Sequence, residues 1–290
     1  MKMIIHMNLF ISYLILVGIG LTTPSYVFAA ERVNIFTYDK RPPYVIEDDN
    51  SRNIQQQGIY IDFVNYLNAQ QNDFDFELHF LPRVRLDGLL KSNNLDGIVI
   101  GVNPTWFSDT KREKYLWTSA IMNDKNVLLV NDKLKYNSYI KNEQFIGNRI
   151  AITRGTYHKG MSELIEQGKI DVFLTNNEMQ SLAMMSHNRA DFTIVSGLTL
   201  GYFLMHHEVQ EKLHVLNPPH YEYERMILVP KNKISLFKII NQLVEQAEFD
   251  QNWIKQLKKW NKLSFTSLDM LKHNKKDALN MDKQPIINIR

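Results

Sequence analysis

Residues 33–44 of this chain read Val-Asn-Ile-Phe-Thr-Tyr-Asp-Lys-Arg-Pro-Pro-Tyr, and they decide how the rest of the sequence is interpreted. The first five residues are mostly apolar, as in a buried strand, and the two prolines predict a turn. After Gly58, the segment Ile59–Gln70 carries apolar residues at helical spacing. Because proline fixes φ, the turn presents Tyr44 at a low entropic cost. A strand that leads through a rigid turn to a helix predicts the start of an α/β unit.

The composition is that of a folded protein. The chain has 290 residues, of which 44% are apolar, so it is long enough for one large domain or two medium ones and too apolar to be disordered. Its formal net charge is +3, and the positive residues are scattered. Since no block of Lys and Arg is interleaved with aromatic residues, we expect no nucleic-acid partner.

The first 30 residues have the pattern of a secretory signal peptide. Lys2 gives a weakly positive start, Leu9–Leu21 is an apolar run of 13 residues, and small residues suit cleavage after Ala29 or Ala30. The alternative is a membrane anchor, but such a run is too short to span a bilayer comfortably. The chain contains no cysteine, so it has neither a disulfide nor a site for an N-terminal lipid. We therefore expect residues 1–30 to be removed and the mature chain to be free in a periplasm.

Beyond residue 31 the sequence alternates short strands and helices, which predicts an α/β fold. The predicted strands are Val33–Thr37, Phe74–Phe80, Gly97–Gly101, Met122–Val130, Arg149–Thr153, Asp171–Thr175, Phe192–Ser196, Leu213–Leu216 and Arg225–Val229. The predicted helices are Ile59–Gln70, Val84–Leu90, His158–Gln167, Asn177–Met185, Gly197–His206, Ile234–Glu248 and Gln251–Trp260. A polar stretch at 131–148 interrupts the alternation, which then restarts. This restart predicts two lobes.

The last predicted strand, Arg225–Val229, has no helix series of its own, so we place it in the first lobe. Lobe 1 is then residues 31–128 plus 225–262, and lobe 2 is residues 129–224. The chain would cross twice between the lobes, near Leu128–Asn131 and near Tyr223–Met226, and these two strands would form a hinge. Residues 263–290 are a polar, basic tail, for which a helix at Thr266–Met281 and disorder are both open.

Eight motifs follow one another between residues 33 and 260. They are the Pro-Pro-Tyr turn, Gly58–Phe63, Leu89–Gly101, Arg112 seven residues before Ser119, Ile150–Thr156, Arg189–Phe192, Val229–Lys231 and Trp253–Trp260. The order of these motifs resembles that in the bacterial extracellular solute-binding proteins of family 3. This family includes most amino-acid-binding components of ABC importers. The resemblance implies a two-lobed, type II periplasmic-binding-protein-like α/β fold with a two-strand hinge and a central ligand cleft. It also implies a monomer that captures a small molecule for an ABC permease or a membrane receptor.

The resemblance further implies which residues line the cleft. Arg112 occupies the place of an arginine that pairs with a ligand carboxylate, to which a planar guanidinium offers two parallel hydrogen bonds. Thr156 would lie at the N-terminus of a helix that begins near His158, which suits an anionic group. Asn103 matches a polar position in the cleft. The first turn would supply Tyr38, Arg41 and Tyr44.

Departures from the resemblance bear on the ligand. Extra residues lie between Gly101 and Arg112, which affects the assignment of the arginine. Ser196 stands where amino-acid binders carry the aspartate that holds the ligand ammonium, and Tyr38 replaces a second acid, with Asp39 one position later. Because a buried ammonium without a carboxylate is costly, we hypothesise a carboxylated or anionic ligand in a positive cleft. The candidate arginines are Arg41, Arg85, Arg112 and Arg154, and Arg41, Arg85 or Arg154 could equally be a solvated surface charge.

Binding without chemistry is the main functional prediction. The sequence has no Gly-x-Ser-x-Gly, no His-Glu-x-x-His and no phosphate loop, and we expect no cofactor. No metal site is expected either, since His158 and the His206-His207 pair are isolated. One alternative is a periplasmic enzyme on the same scaffold, similar to cyclohexadienyl dehydratases, with Glu178 or Asp39 as the acid. The other is a sensor module that presents its bound ligand to a receptor.

Overall fold

The computed structural model describes residues 30–46, 57–134, 136, 138–208, 212–261 and 287–289. The predicted signal peptide, except for Ala30, and the alternative tail helix at Thr266–Met281 lie outside these residues. Within the described part of the chain, no helix combines the length and the apolar character needed to cross a membrane.

Strands and helices alternate through the described residues. The strands are β1 (Glu31–Thr37), β2 (Phe74–Phe80), β3 (Ile98–Val102), β4 (Leu116–Trp117), β5 (Met122–Asn131), β6 (Arg149–Thr153), β7 (Asp171–Thr175), β8 (Phe192–Ser196), β9 (Leu213–Val229) and β10 (Ile287–Ile289). The helices are α1 (Ile59–Gln70), α2 (Arg83–Lys91), α3 (Met161–Glu166), α4 (Glu178–Ser186), α5 (Gly197–His206), α6 (Ile234–Ala247) and α7 (Gln251–Asn261). Short 3₁₀ turns occupy Pro104–Phe107, Asp132–Leu134, Asn142–Phe145 and Lys231–Lys233.

The strands pair in the order β2-β1-β3-β9-β5-β8-β6-β7, and β4 and β10 also pair with β9. On one side β1 is parallel to β2 and β3, and on the other β6 is parallel to β7 and β8. Between these parallel groups, β5 and β9 are antiparallel to each other, from Met122 opposite Arg225 to Asn131 opposite Leu213. The sheet therefore consists of two parallel groups joined by two long antiparallel strands.

Separate apolar cores lie on the two sides of β5 and β9. The cores of one side are built almost entirely from residues 33–122 and 226–260, which we call the first half. The cores of the other side are built from residues 127–216, the second half. The chain therefore crosses between the halves at 123–126, within β5, and at 217–225, within β9. The lobe boundaries given by the sequence stay a prediction.

The predicted elements match the observed ones closely, with two exceptions in the second half. Helix α3 begins at Met161 rather than near His158, because Gly160 adopts a φ of 80° and donates its N–H to the Glu163 carboxylate at 2.6 Å. Strand β9 runs through 217–219, where the sequence predicted a loop between two strands, although its pairing with β5 is broken between Leu216 and Tyr221. The cause is β5, which is long enough to pair with both sections of β9.

The hinge prediction needs one correction. Strand β5 crosses between the halves before Val127, and not at Leu128–Asn131. The reason is burial: the side chains of Val127–Val130 are already packed in the two cores of the second half. The crossing on β9, at 217–225, includes most of the predicted Tyr223–Met226.

Candidate functional site

A group of polar side chains lies buried or mostly buried where the two halves meet, and we call it the seam cluster. Its members are Asp39, Arg41, Tyr44, Asp124, Glu178, Ser196, Tyr223 and Arg225. They come from the turn after β1, from the crossing parts of β5 and β9, from the start of α4 and from the end of β8. Polar groups removed from water in this way must satisfy one another or a ligand.

Arg225 and Asp124 form the centre of the seam cluster, and both side chains are 1% exposed. The Arg225 Nε and Nη2 atoms lie 3.0 and 2.9 Å from Asp124 Oδ2. Arg225 Nη1 donates to the backbone oxygen of Gly101 at 2.9 Å and to the Tyr60 hydroxyl at 3.0 Å. The guanidinium also lies 4.0 Å from the centre of the Tyr44 ring. Each nitrogen of Arg225 thus has a protein partner, which makes it a structural group rather than a free one.

An ion pair connects the halves: Arg41 of the first half donates to Glu178 of the second. The Arg41 Nε atom also lies 3.0 Å from Asp39 Oδ1. The second Glu178 oxygen accepts the backbone N–H of Ser196 at 3.0 Å. Burial raises the pKa of Glu178, while the Arg41 guanidinium opposes that rise. An acid therefore does stand at the end of β8, but it is contributed by Glu178 from α4 and not by the strand itself.

Acidic groups outnumber basic groups in the seam cluster. Two guanidiniums, those of Arg41 and Arg225, face three carboxylates, those of Asp39, Asp124 and Glu178. Since Asp124 is matched by Arg225, Arg41 is left between the other two acids. A buried carboxyl with incomplete compensation takes up a proton or attracts a cation.

Tyr44 is the second link between the halves. Its hydroxyl donates to Asp124 and lies 2.7 Å from Ser196 Oγ. Ser196 Oγ also accepts the N–H groups of Leu198 and Thr199, at 3.2 and 3.4 Å, and so caps α5. Burial raises the pKa of Tyr44, so its hydroxyl keeps the proton that it donates. The rigid turn expected from the prolines thus delivers Tyr44 into the seam.

Two histidines adjoin the seam cluster without adding charge to it. Burial, together with the charges of His220 and Arg41, lowers the pKa of His158 to about 3. Burial also lowers the pKa of His220, whose ring centre lies 5.8 Å from that of His158. Among the described residues, no three side chains of His, Asp or Glu converge as metal ligands would.

Five of the nine predicted ligand-binding residues lie in or beside the seam cluster. Arg41, Tyr44 and Ser196 are members. Tyr38 is partly buried beside it, with its ring 6.4 Å from that of Phe107. Asn103 is buried, but its amide donates to the Glu224 backbone oxygen at 3.0 Å and its carbonyl caps the 3₁₀ turn. The ligand-binding role of all five stays a prediction.

The other four predicted residues are not members of the seam cluster. Arg85, Arg112, Arg154 and Thr156 are all exposed. Thr156 is not at a helix N-terminus, since α3 begins five residues later, and its hydroxyl donates to the Thr153 backbone oxygen at 2.7 Å. Arg112 lines an open cavity of about 510 Å³ beside Thr118 and Asn241. Of the four arginines expected to form a positive cleft, Arg41 alone is mostly buried, and the ligand-binding role of the other three and of Thr156 stays a prediction.

Sequence reasoning missed the centre of the site. Asp124 lies in the polar segment Asn123–Asn126 and Arg225 directly follows Glu224, so the neighbouring sequence does not indicate that either charge is buried. No feature of the sequence around Tyr223 predicted that it would belong to the seam cluster. Arg83, rather than Arg85, is the arginine of α2 that turns inward, with its guanidinium 4.0 Å from the centre of the Phe107 ring.

No protein-family model and no curated protein sequence matches the chain. Solved structures do match it, at low identity. A substrate binding protein of an amino acid ABC transporter is 19% identical, with a TM-score of 0.60 over 80% of this chain and 99% of that chain. The chain has a periplasmic-binding-protein fold.

Two further structures share the periplasmic-binding-protein fold. An ancestral amino-acid-binding protein, a precursor of cyclohexadienyl dehydratase, is 17% identical, with a TM-score of 0.59 over 79% of this chain and 95% of that chain. A histidine kinase sensor domain with similarity to periplasmic binding proteins is 14% identical, with a TM-score of 0.62 over 80% of this chain and 96% of that chain. At these identities the likeness establishes the fold alone.

Proposed function

We propose that the chain is a solute-binding protein that captures a small molecule in the seam between its two halves. The observation that carries the proposal is the seam cluster, whose charged and hydroxyl groups are buried and connect one half to the other. Perturbed, buried titratable groups in a cleft are characteristic of functional sites. Ligand sites also occur preferentially between domains.

Capture would depend on movement of the halves about β5 and β9. Among the described residues, 123–126 and 217–225 pass between the halves, so opening would separate Arg41 from Glu178 and Tyr44 from Ser196 while keeping the β5–β9 ladder. A ligand that contacts both sides of the seam would favour the closed form by its differential affinity for that form. Hinge closure of this kind buries a small molecule effectively.

The charges of the seam cluster favour a ligand that carries a positive group. Three carboxylates against two guanidiniums leave the seam cluster with one negative charge in excess, which would favour an ammonium or guanidinium on the ligand. The anionic ligand hypothesised from the sequence depended on Arg85, Arg112 and Arg154, which are exposed. We therefore propose a cationic or zwitterionic ligand in place of the anionic one.

A thermal-shift screen of the mature chain, starting at residue 31, tests this proposal. The library should contain amines and guanidines, zwitterionic amino acids, and dicarboxylates, because these classes differ in the charge offered to Glu178. Binding to the folded state alone raises the melting temperature in a dose-dependent way. We expect shifts from cation-bearing compounds and none from dicarboxylates. Shifts from dicarboxylates alone would restore the anionic hypothesis, and no shift from any class would contradict a binding role.

A second candidate function is catalysis, and one observation favours it. Burial raises the pKa of Glu178, as a general acid working near neutral pH requires. A cyclohexadienyl-dehydratase-like activity would consume prephenate. Loss of prephenate absorbance on incubation with the wild-type chain, but not with Glu178→Gln, would support this candidate. Unchanged absorbance would remove it.

The proposed partners follow from the proposed location. The predicted signal peptide at 1–30 would deliver the mature chain to the periplasm, where an ABC permease or a membrane receptor would meet the ligand-bound form. N-terminal sequencing of the exported protein tests the location: it should begin at Ala30 or Glu31. A retained N-terminus would contradict the prediction of cleavage.

A further inference from the structure

Strand β7, Asp171–Thr175, is the last strand of the sheet in the second half, and no described residue pairs with its outer edge. In the described residues it pairs only with β6. Its three central side chains are apolar and exposed: Val172 by 38%, Phe173 by 39% and Leu174 by 53%. Edge strands are usually protected by charges, proline or a covering segment, and the centre of β7 has no charge and no proline.

The direction of the backbone groups on β7 can be derived from its pairing with β6. Asp171 donates its N–H to the Asn148 oxygen at 3.1 Å, and the Thr175 oxygen accepts from the Arg154 N–H at 3.0 Å. Since backbone groups alternate in direction along a strand, the odd-numbered residues face β6 and the even-numbered ones face outward. The N–H and C=O groups of Val172 and Leu174 are therefore directed away from the sheet, where no described residue bonds them.

We infer that β7 pairs with β7 of a second copy of this chain, antiparallel and about a two-fold axis at Phe173. In this register Val172 of one copy lies opposite Leu174 of the other, and each such pair exchanges two hydrogen bonds through the outward groups. Phe173 then lies opposite its own symmetry mate in a non-hydrogen-bonded position, where side chains approach most closely. Aromatic pairs across strands stabilise such contacts.

The sequence around β7 favours a second copy as the occupant. A two-fold pairing is isologous, so each residue must be compatible with the residue that lies opposite it on the second copy. The register places Asp171 opposite Thr175 and Lys169 opposite Asn177, so no like charges face each other. The apolar centre of β7 therefore pairs with the apolar centre of the second copy, and its polar ends pair with polar ends. A contact built on one short strand is below the standard size of a stable interface, so we expect association only at high protein concentration.

Cysteine cross-linking tests both the association and its register, because the chain has no cysteine of its own. Residues in a non-hydrogen-bonded antiparallel pair have Cα atoms about 4.5 Å apart, which a disulfide can bridge. Phe173→Cys should therefore give a covalent dimer of the full mature chain under mild oxidation. Val172→Cys should not, since its two copies would be about 8–9 Å apart, given the pair spacing and two residue rises. Phe80→Cys is the matched control, since Phe80 is similarly exposed on the other edge strand, β2.

Sedimentation equilibrium provides a second readout that needs no oxidant. Phe173→Lys and Phe173→Glu should each abolish association of the mature chain, and an equimolar mixture of the two should restore it. The proposal is overturned if Phe173→Cys links no better than Phe80→Cys, or if the wild-type chain stays monomeric up to about 1 mM, a range that covers weak interfaces. That outcome would leave the edge open to an extended segment of another protein. Preferential linking of Val172→Cys would overturn the register.

Discussion

Replacing Arg41 by an uncharged residue tests the claim that Glu178 is a buried acid whose charge is compensated by a single ion pair. Arg41→Met keeps much of the side-chain volume and removes the charge. Asp39 then retains Arg225, whose Nη1 atom lies 3.4 Å from Asp39 Oδ2, whereas Glu178 loses its basic partner. Leaving a buried charge unpaired is strongly destabilising. We therefore expect Arg41→Met to reduce the free energy of unfolding through Glu178.

The size of this loss has a limit that depends on pH. Glu178 can avoid the penalty of a buried, unpaired charge by binding a proton. At pH 7 this protonation costs about 3 kcal/mol, because the ordinary pKa of the carboxyl is 4.5 and each pH unit above it costs 1.36 kcal/mol. The same step costs less than about 1 kcal/mol at pH 4.5. Arg41→Met should thus lower the free energy of unfolding by about 2–3 kcal/mol at pH 7 and by much less at pH 4.5.

Urea denaturation at both pH values measures this difference. The double variant Arg41→Met with Glu178→Gln should recover most of the stability at pH 7, because the neutral amide can still accept the Ser196 N–H. Arg85→Met, at an exposed arginine, is the control and should change stability by less than about 0.5 kcal/mol. Equal losses at the two pH values, or a double variant no more stable than Arg41→Met, would refute the reasoning.

Two further predictions concern stability. Gly58→Ala should destabilise the fold by several kcal/mol in urea denaturation, since Gly58 has a φ of 135° and a Cβ there would lie 2.4 Å from the backbone oxygen of Tyr44. Gly88→Ala is the control: nothing lies within 4 Å of its Cβ, so it should stabilise the fold by about 0.5–1 kcal/mol. Equal effects of the two substitutions would contradict this. His158, with a pKa lowered from 6.5 to about 3, should make stability fall as the pH drops from 6.5 towards 3, by at most about 5 kcal/mol and by less than that because the residue is only partly buried. Unfolding curves of His158→Gln against pH should lose this component, and an unchanged pH dependence would show that His158 is not its source.

The strands and helices could be predicted because their signals are local. The continuous apolar run of β3 and the apolar stripe of α6 are periodic patterns within one segment. The bounds of α3 were less predictable, since they depend on the backbone conformation of Gly160 and on the Glu163 carboxylate that caps it.

The seam cluster could not be predicted, because its contacts join distant parts of the chain. Arg41 and Glu178 are 137 positions apart, and Tyr44 and Ser196 are 152 apart. A serine at the end of β8 was taken to mean that no acid was present, but an acid from a neighbouring helix can fill the same space. The order of residues along the chain does not show that an acid from another element occupies this position.

Which arginine of α2 turns inward could not be predicted from the sequence, for a related reason. Arg83 and Arg85 are two positions apart on α2, so their side chains are directed about 200° apart around the helix axis, at 3.6 residues per turn. A small uncertainty in the rotation of the helix therefore decides which arginine contacts Phe107 and which is exposed.

The most direct test of the account is the affinity of a ligand from the screen for two matched variants. Isothermal titration calorimetry should compare wild type, Glu178→Gln and Glu166→Gln, the last at an exposed glutamate of α3. If the ligand binds through a positive group in the seam, Glu178→Gln should weaken binding by about 10-fold or more, as expected for a charged hydrogen bond, and Glu166→Gln should not change it. Equal affinities for all three proteins would contradict a binding site at the seam.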